Sequence, residues 1–226
     1  TFARNLKGQL YIVPTPIGNL ADITYRAIEV LKSVNAILAE DTRQTKKLLD
    51  HYQVSQKLIP YHQHNEHKNL QLVIERLLNG EILAVCTDAG TPGISDPGFL
   101  LIREAIQANI EVITLPGPVA AIVAIVGSGL PCDAFIYEGF LPHKKGKQTK
   151  IQNLVEEKRT TIFYESPHRI IKTLQMIEEI LGNTRQVAIG RELTKKFEEY
   201  IRGTATELLA HFMQHEPKGE FVLMIA

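Results

Sequence analysis

A loop rich in glycine, proline and aspartate is the segment of this chain best suited to bind a ligand. It spans residues 87–98 (TDAGTPGISDPG) and directly follows an apolar run at residues 84–86. Glycine lets a backbone approach a ligand closely, and proline restricts the loop so that little conformational entropy is lost on binding. Because small ligands bind at the carboxyl ends of the strands in an open α/β sheet, the position of this loop predicts a ligand-binding site.

Two further polar segments follow predicted strands. Asp41 and Arg43 come shortly after the apolar residues 36–39, and residues 164–169 (YESPHR) stand between a strand and a helix. One interpretation is structural, since Asp41 can cap the next helix and Arg43 can be a surface charge. The other is functional, because both segments fall where the wall of a cleft is expected. The residues alone leave both interpretations open.

A cluster of basic residues marks the second half of the chain. It comprises Lys144, Lys145, Lys147 and Lys150, with Lys158 and Arg159 nearby. A solvated helix start and a phosphate-binding patch for RNA both fit this composition. Because the formal net charge is zero, nucleic acid would have to be bound by such a local patch and not by an overall field.

Several familiar motifs are absent or incomplete. The first predicted strand is followed by residues 14–19 (PTPIGN), which do not form a dinucleotide-binding fingerprint. Residues 146–149 (GKQT) resemble the end of a phosphate-binding loop, but Leu141 occupies the place of its first glycine. Three histidines in a polar loop have no cysteine or acidic partners at a metal-ligand spacing, so no metal site is expected. They are His62, His64 and His67.

Strand and helix patterns alternate along the first half. Helices are predicted where apolar residues recur at spacings of three and four, and strands where short apolar runs end in turn residues. The predicted strands are residues 10–13, 36–39, 82–86 and 111–115, and the predicted helices are residues 24–33, 42–51, 70–78 and 99–107. This order predicts a mostly parallel sheet with helices on both faces.

The pattern changes after Leu115, where residues 116–118 (PGP) interrupt the chain. The predicted strands beyond this joint are residues 135–138, 160–164, 186–189, 198–202 and 220–225, and the predicted helices are residues 119–126, 148–157, 170–181 and 205–211. Some successive strands are close enough to pair antiparallel, which indicates a mixed sheet. We therefore predict two α/β domains, residues 1–117 and 118–226.

The composition is that of an ordinary globular protein, with 44% apolar and 22% charged residues in a chain of 226. No apolar run approaches the roughly 20 residues of a membrane helix, and residues 1–8 lack the apolar core of a signal peptide. Cys86 and Cys132 look like small buried hydrophobes, so a cytoplasmic location is expected. The chain starts without methionine and stops inside an apolar run at residues 220–226. We expect a further C-terminal segment.

Seven segments together resemble the motifs of the tetrapyrrole methylase superfamily, the class III S-adenosylmethionine-dependent methyltransferases. They extend in order over nearly the whole chain, at residues 13–20, 39–43, 88–98, 115–118, 139–142, 164–169 and 190–195. Four of them, PTPIGN, EDTR, DAGTPGISDPG and ESPHR, are similar to the branch of the superfamily that methylates the ribose 2′-hydroxyl of a cytidine in bacterial 16S ribosomal RNA.

The resemblance implies two α/β domains with S-adenosyl-L-methionine in the cleft between them, a homodimer, and 16S rRNA as substrate, free or in the 30S subunit. Carried over by position, cofactor binding falls on Ile17, Asp88, Ala89, Gly90, Gly93, Ile94, Val119, Ala120, Tyr164 and Leu193. Backbone groups are expected to make most of these contacts. No metal is required, because the sulfonium methyl is already activated, and the family commonly carries a C-terminal extension beyond the final strand.

The implied reaction needs the acceptor oxygen in line with the methyl carbon, and a general base helps because a ribose hydroxyl is a very weak acid. The candidates for this base are Asp41, Asp96 and Glu165, and the sequence does not rank them. The candidates for gripping phosphates are Arg43, Arg169 and Lys195.

Two other functions stay open. A fold does not fix a substrate, so methyl transfer to a tetrapyrrole or another small molecule is one alternative. The neutral pI of about 7.1 favours it, whereas the lysine cluster and the branch-specific motifs oppose it. A non-catalytic RNA-binding module with a vestigial cofactor pocket is the other alternative. Its glycine loop would be degraded, and the loop in this chain is intact.

Overall fold

The computed structural model of the protein describes residues 8–143 and 145–226. The chain divides into two compact units, the first ending at Val119 and the second running from Ala120 to Ala226. The domain limits expected from the sequence, at residues 117 and 118, stay a prediction. Each unit contains one sheet of five strands. Among the described residues, no helix combines the length and the apolar character that crossing a membrane requires.

The first unit alternates strands and helices. Its elements are β1 (Gln9–Ile12), α1 (Tyr25–Ser33), β2 (Ala36–Ala39), α2 (Thr42–His51), β3 (Leu58–Pro60), α3 (Glu66–Leu78), β4 (Leu83–Cys86), α4 (Phe99–Gln107) and β5 (Glu111–Thr114). All neighbouring strands are parallel, in the order β3-β2-β4-β1-β5. The predicted parallel sheet is confirmed. The sequence pattern misses β3 because this edge strand has three residues, is only partly buried and ends in a proline.

Side chains of the first sheet alternate between two apolar layers, because successive strand residues point to opposite faces. In β4, Leu83 and Val85 pack with α3 and α4, whereas Ala84 and Cys86 pack with α1 and α2. Helices therefore cover both faces, as predicted. The prediction of buried cysteines is right for Cys86 and wrong for Cys132, which is exposed in a loop.

The two strands β1 and β4 are neighbours, although the helices that follow them lie on opposite faces of the sheet. The chain consequently leaves the carboxyl ends of these strands in opposite directions, which is the arrangement at which open α/β sheets bind ligands. The glycine-rich loop, residues 87–98, connects β4 to α4 and therefore begins at this point of the sheet. The sheet order thus places the predicted ligand loop where α/β proteins bind ligands.

The second unit mixes parallel and antiparallel pairing. Its elements are α5 (Ala120–Ser128), β6 (Phe135–Phe140), α6 (Lys145–Gln152), β7 (Thr160–Glu165), α7 (Pro167–Leu181), β8 (Gln186–Arg191), β9 (Glu199–Thr204), α8 (Ala205–Gln214) and β10 (Phe221–Ile225). The strand order is β6-β7-β10-β8-β9, and only β6 and β7 pair in parallel. The predicted mixed sheet is confirmed, with the fully buried β10 at its centre.

Helix α6 begins and ends earlier than residues 148–157, the range that the sequence pattern predicts. Two of its residues, Lys147 and Ile151, are buried and stand four positions apart. Such a spacing places both on one face of a helix. Because a lysine does not count toward an apolar pattern, the sequence analysis places the start of this helix too late.

Candidate active site

Backbone hydrogen bonds join the two loops that follow β1 and β4. The amide of Thr15 donates to the carbonyl of Gly90 at 2.9 Å, and the amide of Gly90 donates to the carbonyl of Thr15 at 3.0 Å. The hydroxyl of Thr15 also donates to the carbonyl of Thr87 at 3.0 Å, and this bond is buried. The loop after β1 is therefore held against the glycine-rich loop.

The backbone conformation at position 90 selects glycine. Its φ is +85°, in the left-handed region that side chains with a Cβ rarely adopt. A Cβ there would lie 3.5 Å from Cγ2 of Ile17, an ordinary van der Waals contact. The conformation, and not a lack of space, therefore excludes other residues. Two residues predicted to bind the cofactor, Ile17 and Gly90, are thus brought together.

A third loop, which follows β5, approaches the other two closely. A Cβ at Gly117 would lie 2.3 Å from Cβ of Pro14, so the backbone of residue 117 can pack against the Pro14 ring only because that residue is glycine. The hydroxyl of Thr91 donates to the carbonyl of Pro118 at 3.0 Å. The predicted cofactor-binding residues that stand in these three loops or at their ends are Ile17, Asp88, Ala89, Gly90, Gly93, Ile94 and Val119.

Three carboxylates gather at the ends of β2 and β4. The amide of Asp41 donates to Oδ1 of Asp88 at 3.0 Å, and the amide of Asp88 donates to Oε2 of Glu40 at 3.2 Å. The side chain of Asp96, in the glycine-rich loop, is half-buried and interacts electrostatically with the negative charges of Glu40 and Asp88. The structure thus adds Glu40 to the site. Its signal in the sequence is its position, directly after a fully buried strand.

The pKa values of these three carboxyl groups are raised above their ordinary values. Burial, followed by the charges of Glu40 and Asp88, raises the pKa of Asp96 to about 7. Burial is also the largest cause of the raised pKa of Glu40 and of Asp88. A carboxyl group with a pKa near 7 can both take up and release a proton at physiological pH, which is what a general base or acid must do.

Asp41 and Arg43 form a bidentate pair at the start of α2. The Asp41 carboxylate accepts from the Arg43 amide at 2.8 Å and caps the helix, while Nη2 of Arg43 lies 2.6 Å from Oδ2. Hydrogen bonds from Arg43 lower the pKa of Asp41 to about 2. Asp41 is therefore a weak proton acceptor at neutral pH. The Arg43 side chain is 86% exposed, so an anion from solution can reach its guanidinium beside Asp41.

Glu165 lies inside the second unit in a network of hydrogen bonds. Its Oε2 accepts from Nζ of Lys147 at 2.9 Å and from the Thr173 hydroxyl at 2.7 Å. Its Oε1 accepts from the Ser166 amide at 2.8 Å and lies 2.5 Å from Nη2 of Arg169. Burial alone would raise the pKa of Glu165, but these hydrogen bonds outweigh burial and leave the pKa lowered. Both oxygens are engaged, which favours a structural role over proton transfer.

Within the basic cluster, Lys147 is buried whereas Lys158 and Arg159 are exposed. Lys147 is buried against Glu165, so neither of the two interpretations, a solvated helix start or an RNA phosphate contact, fits this residue. Lys150 pairs with Glu138, and Arg159 pairs with Glu157. Lys144 and the side chain of Lys145 lie outside the described residues.

Tyr164, a predicted cofactor residue, contacts the first turn of α5. The hydroxyl of Tyr164 accepts from the amide of Ala121, next to Ala120, at 3.3 Å. The Tyr164 ring also makes edge contacts with Tyr137 and Phe140. The end of β7 and the first turn of α5 are thus joined in the second unit.

Leu193 and Lys195 lie in the turn between β8 and β9. Leu193 is buried, and a Cβ at Gly190 would lie 3.1 Å from its Cδ2. Lys195 contacts Glu192 at 3.0 Å and Glu220 at 2.9 Å, and neither partner belongs to the Glu165 network. Lys195 would have to exchange one of these partners to bind a phosphate. Within the part of the chain that the structure describes, no group of three potential ligands could hold a metal ion.

Comparisons with known proteins agree with this architecture. Residues 9–209 match the family model described as Tetrapyrrole (Corrin/Porphyrin) Methylases. A Synechocystis protein named Ribosomal RNA small subunit methyltransferase I is 49% identical over 97% of this chain and 79% of its own length. A protein of the same name from Escherichia coli O157:H7 is 49% identical over 99% of this chain and 79% of its own length.

A solved structure shares the fold at low sequence identity. It is the uroporphyrin-III C-methyl transferase from Thermus thermophilus complexed with S-adenyl homocysteine, with a TM-score of 0.65 and 13% identity over 96% of this chain and 97% of that chain. At this identity the likeness concerns the fold alone.

Proposed function

The chain belongs to the tetrapyrrole (corrin/porphyrin) methylase family, and we propose that it methylates small-subunit ribosomal RNA with S-adenosylmethionine as donor. The family membership predicted from the sequence motifs is confirmed by the family match. The names of relatives that are 49% identical over nearly the whole chain support the RNA substrate. The finer proposal, the ribose 2′-oxygen of a cytidine in 16S rRNA, rests on the PTPIGN, EDTR, DAGTPGISDPG and ESPHR motifs of this sequence.

The loops of the first unit fit the donor. They combine a glycine in the left-handed region, close backbone approach at Gly117 and the apolar side chain of Ile17. These features suit a nucleoside that is bound mainly by backbone groups. We therefore assign donor binding to the three loops, with Gly90 and Ile17 as the central contacts. In the second unit, Tyr164, Ala120 and Leu193 remain candidates for the same role.

The observation that carries the proposed chemistry is the Asp96 carboxyl in the glycine-rich loop. Its pKa of about 7, raised by burial and by two neighbouring carboxylates, suits a general base at physiological pH. Both carboxylate oxygens of Asp41 accept hydrogen bonds from Arg43, and both oxygens of Glu165 are bonded within the second unit. We therefore rank Asp96 first among the three candidate bases.

The proposed reaction balances without a metal. When bound, S-adenosylmethionine supplies a methyl group that its sulfonium charge activates. The ribose 2′-oxygen forms a bond to the methyl carbon and gives its proton to the Asp96 carboxylate. The bond between sulfur and the methyl carbon breaks and leaves neutral S-adenosylhomocysteine. Release of the proton to water returns Asp96 to its starting state.

We propose that RNA phosphates are bound by cationic side chains, with Arg43 first among them. The Arg43 guanidinium is oriented by Asp41 and exposed, so it can bind a phosphate while its partner holds its direction. Arg169 and Lys195 are further candidates, although each already pairs with a carboxylate. We further propose that the substrate is the 30S subunit, that the protein acts as a homodimer, and that the reaction occurs in the cytoplasm.

The test is methyl transfer from radiolabelled S-adenosylmethionine to unmethylated 30S subunits and, separately, to free 16S rRNA. Digestion to nucleosides then identifies the labelled product. Label in a 2′-O-methylated cytidine is the expected result, and label in another nucleoside would refute the proposed acceptor. If neither RNA is labelled although the donor binds, rRNA is not the substrate, and tetrapyrrole acceptors are tested next.

The Asp96→Asn variant provides the matched control, because it preserves shape and removes the proton acceptor. We expect it to bind S-adenosylmethionine with unchanged affinity and to transfer methyl groups at least about a hundredfold more slowly. A variant as active as the original chain would exclude Asp96 as the base. The homodimer is tested independently by light scattering of the purified protein.

A further inference from the structure

Glu40 occupies a junction between two strands and the loop that carries Asp96. It is the first residue after β2, and its Oε2 accepts a hydrogen bond from the Asp88 amide at 3.2 Å. Asp88 in turn accepts from the amide of Asp41 at 3.0 Å. The two bonds run in opposite directions between the chain segments after β2 and β4. They fix the first residues of the glycine-rich loop to the neighbouring strand.

We propose that Glu40 is a positioning residue for methyl transfer, which anchors the glycine-rich loop through the Asp88 amide and presents a negative charge to Asp96. This inference rests on the function proposed above. Glu40 is not itself required to touch the acceptor. It acts on the reaction indirectly, by fixing the position of the Asp96 side chain and by influencing its ionisation.

The charges around the two carboxyl groups come from three chain segments. The negative charges that act on Asp96 are those of Glu40, from the segment after β2, and Asp88, from the segment after β4. Glu40 is itself subject to the charges of Asp88, Asp41 and His62, the last from the segment after β3. Arg43 acts on Asp88 and is bound to Asp41. Glu40 is therefore one of two negative charges that act on Asp96, and it can be removed while the Asp41–Arg43 pair stays in place.

The charge of Glu40 determines the direction in which the pKa of Asp96 changes when Glu40 is replaced. A nearby negative charge disfavours the ionised form of Asp96, so removing the charge of Glu40 lowers the pKa of Asp96. The rate depends on the ionised base and rises with pH through that pKa. Loss of the Glu40 charge should therefore move the acid limb of the pH–rate profile to lower pH.

The experiment compares Glu40→Gln with Glu40→Ala in methyl transfer to 30S subunits between about pH 5 and pH 9. Glutamine keeps an oxygen that can accept from the Asp88 amide but lacks the charge, whereas alanine lacks both. We expect the glutamine variant to bind S-adenosylmethionine within about twofold of the original chain and to shift the acid limb down by about 0.5 to 1 pH unit. We expect the alanine variant also to bind the donor more weakly, because the loop loses its anchor.

A second measurement does not depend on activity. Carboxyl carbons of aspartate are titrated by NMR in labelled protein, and the Asp96 signal is assigned by its loss in Asp96→Asn. Glu40→Gln should lower the titration midpoint of that signal. An unchanged midpoint, or a changed midpoint with an unchanged acid limb, would overturn the role of Glu40. Failure of the proposed function is seen separately, because the unsubstituted protein would then methylate neither 30S subunits nor free rRNA.

Discussion

The ammonium group of Lys147 lies 2.9 Å from Oε2 of Glu165, and both side chains are buried in the second unit. The Thr173 hydroxyl connects the same two groups, accepting from Lys147 at 2.6 Å and donating to Glu165 at 2.7 Å. This network joins α6, the end of β7 and α7. It explains why a conspicuous glutamate in the motif at residues 164–169 faces the protein interior.

The first prediction concerns the stability of this network. Replacing Lys147 by methionine, which has a similar length and no charge, leaves the Glu165 carboxylate buried without its ammonium partner. Removing one member of a buried ion pair costs about 3 to 5 kcal/mol. Because Arg169 still contacts Glu165, we expect a loss near the lower end, about 3 kcal/mol, in the free energy of unfolding measured with urea.

Two variants control this measurement. Lys150→Met removes a lysine from the same helix whose ion pair with Glu138 is partly exposed. It should change the free energy of unfolding by less than about 1 kcal/mol. Adding Glu165→Gln to Lys147→Met should recover part of the lost stability, since no buried charge is then left unpaired. If Lys147→Met is as stable as Lys150→Met, the pair does not hold the second unit together.

The second prediction links Asp96 to stability. Its folded pKa of about 7 lies above its ordinary value of 3.8, so its contribution to stability is fully present below about pH 4 and is lost as the pH rises through 7. Asp96→Asn does not undergo this loss. The variant should therefore be more stable than the original chain at about pH 8, by about 1 to 2 kcal/mol after allowance for screening of a half-exposed group.

The check is urea unfolding of both proteins at several pH values. The difference between them should grow between about pH 4 and 7 and then remain constant. A difference that is the same at all pH values would mean that Asp96 ionises normally in the folded protein. The assignment of Asp96 as the base would then lose its electrostatic support.

The alternation of elements in the first unit could be predicted from the sequence, because its strands and amphipathic helices carry strong local patterns. For α2 and α4 the predicted limits, residues 42–51 and 99–107, agree with the structure. The glycine-rich loop could also be identified from the sequence, because glycine, proline and aspartate are rarely concentrated in this way in a plain connection. Local patterns of this kind report on a residue and its neighbours along the chain.

Long-range pairing could not be predicted in the same way. Lys147 looked like part of a solvated cluster because its partner, Glu165, is 18 residues away in the sequence. Glu40 had no assigned role because its contact with Asp88 depends on β2 and β4 being neighbours in the sheet. The base candidates could be ranked only when burial and hydrogen bonds were known, since these decide which carboxylate keeps a proton near pH 7.

The third prediction separates Asp41 from the base. Asp41→Ala removes the partner that orients the Arg43 guanidinium, so methyl transfer to 30S subunits should fall at least about tenfold. Donor affinity should stay nearly unchanged. The acid limb of the pH–rate profile should also stay in place, because a group with a pKa of about 2 is ionised throughout the measured range.

The matched control for this prediction is Asp50→Ala, at the other end of α2, where an exposed aspartate pairs with Lys46. This variant should keep full activity. Transfer at the original rate by Asp41→Ala would remove Asp41 from the site. A shifted acid limb would instead restore it as a candidate base.

The fourth prediction tests the donor site at Gly90. Valine at this position must adopt a φ near +85°, which a β-branched side chain strongly resists, so the loop should move away from Ile17. We expect Gly90→Val to lose S-adenosylmethionine binding by at least about a hundredfold in titration calorimetry, even under conditions where circular dichroism shows a folded protein.

Gly182→Val is the control, because Gly182, at the end of α7, has a similar φ of +82° and no neighbour within 4 Å of a Cβ. It forces valine into a similar positive φ away from the glycine-rich loop and should bind the donor normally. Equal loss of binding in both variants would show that strain alone weakens the protein, and equal retention would exclude Gly90 from the donor site.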